Sequence, residues 1–301
     1  MSTFRQRIRK VVPRKLRPYL GALRRRVVVN PVSIRLHVRR LAKSPLLDAS
    51  QLELLKRVNR KIHYDDFMYV GHGAEYFLAG ISTVDCVSRV LGQARPDSIR
   101  NILDLPCGYG RELRFLVQSF PRATFTACDI QPGAADFCAD TFGAAAAYSR
   151  PEVREISFDR SFDLIWCGSL ATHLDGSSTL DLLRLFSRHL SPSGVLILTT
   201  NGDYVFERLR GGETYELSEG SVRALTTSYA REGYGFQDYP RGLGYFDFHP
   251  EGRGYGVSLM SPDWVRALAE QVGGLRELYF RERGWCDHQD VFAFTKKAGE
   301  T

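Results

Sequence analysis

The sequence predicts an α/β fold built on a mostly parallel sheet flanked by helices. Three observations carry that expectation. Residues 101–111, Asn-Ile-Leu-Asp-Leu-Pro-Cys-Gly-Tyr-Gly-Arg, run from an apolar strand with an acid near its end into two glycines spaced by one. Leu113, Phe115, Leu116 and Val117 follow, so the stretch reads as strand, glycine turn, helix. Thr124 to Asp129 is a second strand closed by an acid, and the apolar run Phe162 to Leu170 reads as a buried central strand of a parallel sheet.

Gly108 and Gly110 permit backbone angles and a closeness of approach that a β-carbon would forbid, and the helix after them offers unpaired N–H groups to a polar ligand. This is a nucleotide-type cofactor site. A dinucleotide fingerprint wants a third glycine where this chain has Leu113, which disfavours a nicotinamide cofactor. Asp129, ending the second strand, suits both hydroxyls of a ribose. Asp104, four residues before Gly108, suits a cation at the other end of the ligand. A ribose joined to a positive centre is the chemistry of S-adenosylmethionine.

On these residues the chain resembles the class I S-adenosylmethionine-dependent methyltransferases, whose first motif has the form acid-x-x-x-Gly-x-Gly and whose second ends in an acid. The resemblance covers residues 99–201 and, more faintly, the chain to residue 296. It implies a Rossmann-like fold with seven strands and S-adenosylmethionine as cofactor. The implied cofactor site is Asp104, Pro106, Cys107, Gly108, Gly110, Arg111, Asp129, Ile130, Ser149, Gly168 and Ser169, with Tyr76 from a helical cap. Family members often carry an acid after the third strand to bind the adenine amino group. Here Ser149 and Arg150 stand there, so a serine hydroxyl or a backbone carbonyl would have to replace it.

The remaining elements follow in order. Residues 1–47 hold 14 Lys and Arg and no acid, leaving 27 basic against 34 acidic residues in the rest, so the net charge of +7 belongs to this arm. Its apolar runs are too short for an export signal or a spanning helix. Leu20, Leu23 and Val27, then Ile34, Val38 and Leu41, recur at helical spacing among arginines, which predicts two short basic amphipathic helices. An anionic membrane surface, nucleic acid and no partner at all stay open as readings of the arm.

Residues 48–301 are read as the methyltransferase domain, with 48–98 as a helical cap. A capping box at Ser50-Gln51-Leu52-Glu53 opens its first helix, and a second runs from Ala74 through Val90 after the break at Gly71-His72-Gly73. By resemblance this cap closes over the cofactor, making Tyr69, His72 and Tyr76 candidate contacts. A helix from Ala134 to Phe142 stops at Gly143 before the strand Ala144 to Tyr148, and a helix from Thr179 to Leu190 precedes the fifth strand, Val195 to Thr200. Its turn, Ser191-Pro192-Ser193-Gly194, resembles the family's Leu-x-Pro-Gly-Gly turn. Residues 202–260, rich in glycine and tyrosine, are expected to form a lid with short elements of its own. Ser261 caps a helix to Val272, and Leu275 to Arg283 and Asp290 to Lys296 supply the last two strands, joined by a turn that holds His288.

His173, after the fourth strand, is the first candidate for a general base on the acceptor, with a structural role equally open; His249 and Asp203 come second. The six cysteines form no disulfide framework, and cysteines and histidines lack ligand spacing, so reduced thiols, a cytoplasmic setting and no metal are expected. No Asn-Pro-Pro-Tyr-like motif follows the fourth strand, which argues against nucleic-acid bases as acceptors and leaves small-molecule, saccharide or lipid-linked ones. The pattern around Cys107 to Arg111 and Gly168 to Leu174 is similar to bacterial methyltransferases that accompany glycosyltransferases. A nicotinamide-dependent oxidoreductase and a non-catalytic cofactor-binding protein acting through its basic arm are the alternatives.

Overall fold

The computed structural model describes residues 29–69, 73–96, 98–240 and 254–297. The stretch around Leu20 to Val27, together with His72, Tyr245, Phe246, Phe248 and His249, lies outside the described residues. The chain divides into two compact units, Met1–Phe77 and Leu78–Thr301.

In the first unit, helix α1 (Pro31–Leu41) is capped by the Asn30 side chain, which accepts from the Val32 and Ser33 N–H groups at 2.9 Å, with Pro31 at its first position. Ile34, Val38 and Leu41 are buried along one face. Helix α2 (Ala49–Arg57) starts at Asp48 and not at Ser50: the Asp48 carboxylate accepts from Gln51 N–H, and the Gln51 side chain accepts from Asp48 N–H. The reciprocal box therefore sits two residues earlier than the sequence suggests, because a carboxylate is available there as a stronger acceptor. Tyr69, Tyr76 and Phe77 pack edge to face in the interior of this unit. Helix α3 (Ala74–Ala94) begins in this unit and continues into the second.

The second unit is organised by a seven-stranded sheet. Strands β1 (Asn101–Asp104), β2 (Thr124–Asp129), β3 (Ala145–Tyr148), β4 (Phe162–Cys167) and β5 (Leu190–Thr200) are parallel. Helices α4 (Leu113–Ser119), α5 (Pro132–Phe142) and α6 (Gly176–His189) make three of the crossovers. Among its described residues, the segment 202–260, expected from sequence to be a lid, holds helices α7 (Asp203–Arg210) and α8 (Glu219–Glu232) and a separate hairpin, β6 (Tyr234–Asp238) with β7 (Gly256–Met260). Helix α9 (Pro262–Val272) then leads to β8 (Leu275–Trp285) and β9 (Gln289–Lys296), and β9 runs antiparallel between β5 and β8. The order β3-β2-β1-β4-β5-β9-β8 reverses between β1 and β4, which puts the ligand crevice at the carboxyl ends of those two strands.

Alternation along the strands fills both faces. Leu103, Ile165, Leu196 and Leu198 belong to one buried cluster, and Ile102, Leu164, Trp166, Val195 and Ile197 to the other. Strand β5 begins at Leu190, five residues before Val195, and the Ser191-Pro192-Ser193-Gly194 stretch is absorbed as an irregularity in its pairing with β4. Lid residues Val205, Leu209, Leu217, Leu225, Tyr229, Tyr239, Val257 and Leu259 form a small core of their own.

Asp163 anchors the amino ends of the strands: its carboxylate accepts from the Arg100 and Asn101 N–H groups at 2.9 and 3.0 Å and from the Ser191 hydroxyl at 2.9 Å. These bonds sit at the edge away from the crevice. Replacing Asp163 with Ala should cost about 1–3 kcal/mol in chemical denaturation, since part of the site can be rehydrated. Cofactor affinity measured by calorimetry should stay within about twofold of wild type.

Candidate active site

The site is built on the turn between β1 and α4. Gly108 has φ +48° and Gly110 φ +75°, both in the left-handed region that favours glycine. A Cβ at Gly110 would stand 2.3 Å from the Phe142 ring, whereas one at Gly108 would meet nothing within 4 Å. The turn is thus closed behind Gly110 and open at Gly108, where a ligand can approach the backbone.

Charged side chains, most of them buried, define this turn. Asp129, at the end of β2, accepts from Gly108 N–H at 2.8 Å and from Gln131 N–H at 2.9 Å. Burial raises its carboxyl above the usual range, and the N–H groups of Gln131, Gly108 and Ile130 pull it back. Arg114 is fully buried and donates to the Gly110 carbonyl at 2.8 Å and to the Tyr109 carbonyl at 3.1 Å, with its guanidinium over the Phe142 ring. Sequence reasoning passed over Arg114, although a cation inside the apolar face Leu113 to Val117 was the available signal. Arg111 pairs with Glu112 at 2.5 Å and lies over the Trp285 ring at 5.4 Å.

Asp104 differs from its neighbours. It has no exposed surface, and neither carboxylate oxygen has a hydrogen-bond partner. Burial, followed by the charges of Glu112, Cys138 and Asp129, pushes its carboxyl well above the usual range. An orphaned buried carboxyl beside an open glycine turn is what a cationic ligand group would satisfy. The residues present therefore fit S-adenosylmethionine: Asp104 for its positive end, Gly108 for close approach, and Asp129, whose oxygens retain lone pairs, for a ribose.

The other expected cofactor residues fall on the same edge. Cys107 N–H is bonded to the Cys128 carbonyl at 2.9 Å and Ser149 N–H to the Asp129 carbonyl at 2.9 Å, which aligns the turns after β1, β2 and β3. Pro106 and Ile130 flank these bonds in sequence. Beyond β4, Gly168 is held close to the Trp166 indole, and Ser169 has φ +65°. Ser169 N–H donates to Thr199 Oγ1 at 2.7 Å, Thr199 donates to Gln289 Oε1 at 2.6 Å, and Gln289 Nε2 returns to Ser169 Oγ at 2.9 Å. This closed polar ring ties β4, β5 and β9 together at the crevice. Gln289 was missed because its partners lie 90 and 120 residues away in sequence.

Tyr69 and Tyr76 are placed in the interior of the first unit. The Tyr76 hydroxyl donates to Asp66 at 2.7 Å, and that of Tyr69 bonds His37 Nδ1 at 2.8 Å. His173 is built into the lid's attachment: Nδ1 bonds the Gly256 carbonyl at 2.9 Å, its own carbonyl accepts from Gly256 N–H at 2.9 Å, and its ring stacks on Tyr255. Burial lowers its pKa. Asp203 accepts the Tyr229 hydroxyl at 2.7 Å. Among the described residues no group of three or more His, Cys, Asp or Glu could hold a metal ion, and no described helix is long and apolar enough to cross a membrane.

The comparisons with known proteins agree with this geometry. A family model described as a methyltransferase domain matches residues 103–196. A malonyl-[acyl-carrier protein] O-methyltransferase from Priestia megaterium is 28% identical over 109 residues, 36% of this chain and 39% of that protein, so the match spans about two fifths of the relative's length. Among solved structures, an S-adenosylmethionine-dependent methyltransferase from Clostridium acetobutylicum is 14% identical with a TM-score of 0.51, over 78% of this chain and 96% of its own. S-adenosylmethionine-bound CalS10, an amino pentose methyltransferase from Micromonospora echinaspora, is 16% identical with a TM-score of 0.50, over 78% and 98%. With the glycine turn, the two acids and the strand order all in place, residues 103–196 match a methyltransferase domain, set in a fold shared with solved S-adenosylmethionine-dependent methyltransferases.

Proposed function

We propose that this protein transfers a methyl group from S-adenosylmethionine to an oxygen or nitrogen of a small-molecule, saccharide or lipid-linked acceptor. The observation that carries the reading is the buried, unpartnered carboxyl of Asp104 beside the open glycine turn. The amino pentose acceptor class of CalS10 supports the saccharide part. The cofactor supplies a methyl group on a sulfonium, already an excellent leaving group. The protein's own task is alignment, which is worth about 7–11 kcal/mol when reactants are held in line.

In this reading Asp104 faces the cationic end, Asp129 takes the ribose hydroxyls, and the turn of Pro106, Cys107, Gly108, Gly110 and Arg111 cradles the ligand between them. Ile130 and Ser149 line the adenine side, and Gly168 and Ser169 line the cofactor on the side of β4. Residues 48–98 act as a cap and residues 202–260 as the acceptor's lid. His173, which the sequence leaves open as a base or a structural residue, is read here as the tether between the lid hairpin and the segment after β4.

Residues 1–47 are proposed to meet an anionic membrane surface from the cytoplasmic side. Support comes from α1, which buries Ile34, Val38 and Leu41 yet leaves Val32 65% and Leu36 48% exposed among Arg35, Arg39 and Arg40. At about 1 kcal/mol for each arginine near the surface, Arg35, Arg39 and Arg40 replaced together by Gln should weaken sedimentation with phosphatidylserine vesicles by roughly 10²-fold, and added salt should do the same to wild type. Equal sedimentation would defeat the membrane reading, and preferential competition by RNA would favour nucleic acid.

Labelled S-adenosylmethionine incubated with cell-extract fractions tests the activity by following the methyl group, and calorimetry with S-adenosylhomocysteine and NAD separates it from an oxidoreductase. Asp129→Ala should stay folded and bind the cofactor at least about tenfold more weakly, because charge-assisted bonds of roughly 1.5–3 kcal/mol are lost. Asp104 gives a pH signature. Its folded-state pKa lies above the unfolded value, so ionisation favours the unfolded chain and the unliganded protein loses stability as pH rises. A bound cation favours the ionised form, so S-adenosylmethionine uptake should release a proton and tighten with rising pH, as calorimetry in buffers of different ionisation enthalpy would read. Asp104→Asn should abolish that release, weaken binding and raise the melting temperature of the unliganded protein at neutral pH.

A further inference from the structure

A second histidine stands at the crevice edge, in the turn between β8 and β9. Two residues fix that turn there. Trp285 lies under Arg111 of the glycine turn and against Trp166 of β4, and Gln289 bonds both Ser169 and Thr199 at the ends of β4 and β5. Between Trp285 and Gln289, the His288 ring meets the edge of Tyr204 at 5.4 Å, and its Nε2 lies 3.3 Å from the Tyr215 hydroxyl.

The backbone around this ring is unusual in the same places. Seven described non-glycine residues have positive φ. Six of them, Ser169, Tyr215, Glu216, Arg283, Cys286 and Asp287, fall in the three segments that these bonds bring together, and only Arg95 falls elsewhere. Left-handed conformations at such residues are costly and persist where the surrounding structure holds a functional arrangement.

The charges facing the imidazole come from every segment packed on it. Arg208 of α7 bonds the Tyr204 hydroxyl at 2.8 Å and pairs with Glu213; Arg283 lies 4.0 Å over the Tyr204 ring and pairs with Asp287 at 2.7 Å. Burial and the two guanidiniums lower the His288 pKa, against the opposing pull of Glu213 and Asp287, so the ring is a neutral base near pH 7. His173 differs in its place, since its Nδ1 and its backbone carbonyl both bond Gly256 and so moor hairpin β6–β7 to the segment after β4.

We infer that His288 is the catalytic base for a hydroxyl on a ring-bearing acceptor, seated against Tyr204 and Tyr215 at the mouth of the crevice. This rests on the methyltransferase reading. Tyr215 holds Nε2, and Nδ1 takes the hydroxyl proton as the oxygen's electron pair passes to the transferred methyl carbon and the methyl–sulfur pair stays on sulfur. The imidazolium then loses its proton to water, so no other reactant is needed.

The test uses the full-length protein. Proton–carbon NMR of the histidine Cε1 position, assigned with His288→Gln, should give His288 a pKa below 6.5. Using the extract fraction that receives label, wild-type turnover should rise with pH through that same pKa. His288→Gln should lose roughly 10²-fold in kcat while S-adenosylhomocysteine affinity stays within about twofold. Arg283→Gln, which removes one facing cation and keeps the imidazole, should raise the NMR and kinetic pKa values by equal amounts; this arm holds if His288→Gln fails to fold. Wild-type turnover in His288→Gln, or a kinetic inflection that ignores the NMR shift, would overturn the inference while leaving methyl transfer intact. Failure of wild type to transfer label at all would overturn the methyltransferase reading and this assignment with it.

Discussion

The crevice depends on how one buried carboxylate is satisfied. Asp129 accepts an N–H from the turn after β1 and another from the turn after β2, so one side chain sets the separation and orientation of both loops. Arg114 works from the opposite side by taking the Tyr109 and Gly110 carbonyls. The glycine turn is therefore held by an anion at an N–H and a cation at its carbonyls. Its peptide planes are fixed before any ligand arrives, which is the preorganisation a tightly held cofactor requires.

Within that frame Asp104 is the exception. A fully buried acid with no partner is a local cost to the unliganded fold. Its neighbours Asp129 and Arg114 are both well bonded, so the cost is confined to the one position where a cation would relieve it. Stability and ligand recognition oppose each other at this residue, a common arrangement where a fold has been shaped around a charged ligand.

The carboxyl edge beyond β4 is built differently. The segment after β4 is laced to the lid by main-chain bonds at Thr172 and His173, and to the β8–β9 turn through Ser169 and Gln289. Tyr234 of the lid stacks on Trp264 at 4.1 Å and accepts from the Gly176 N–H at the start of α6. The lid thus has its own apolar core and several polar moorings to the sheet's carboxyl edge. This segment and the cofactor turn are held by separate sets of bonds, so side chains of one can vary without disturbing the other.

The sequence by itself determined the α/β class, the glycine turn, both acids and most element boundaries. These are local signals: alternation along a strand, glycines at fixed spacing and caps such as Ser261 and Gly143 act within a few residues. What only the tertiary structure decided was how side chains far apart in sequence are spent. His173 was open as a base or a structural residue from its place after β4, and its Nδ1 is bonded to the carbonyl of Gly256, 83 residues on. Tyr76 looked like a ligand contact, and its hydroxyl is taken by Asp66. His288 looked like a turn residue, and long-range bonds from the turn's neighbours place it at the crevice edge. Burial and hydrogen-bond partners set what a polar side chain can do, and both are properties of the packed chain, which no local pattern carries.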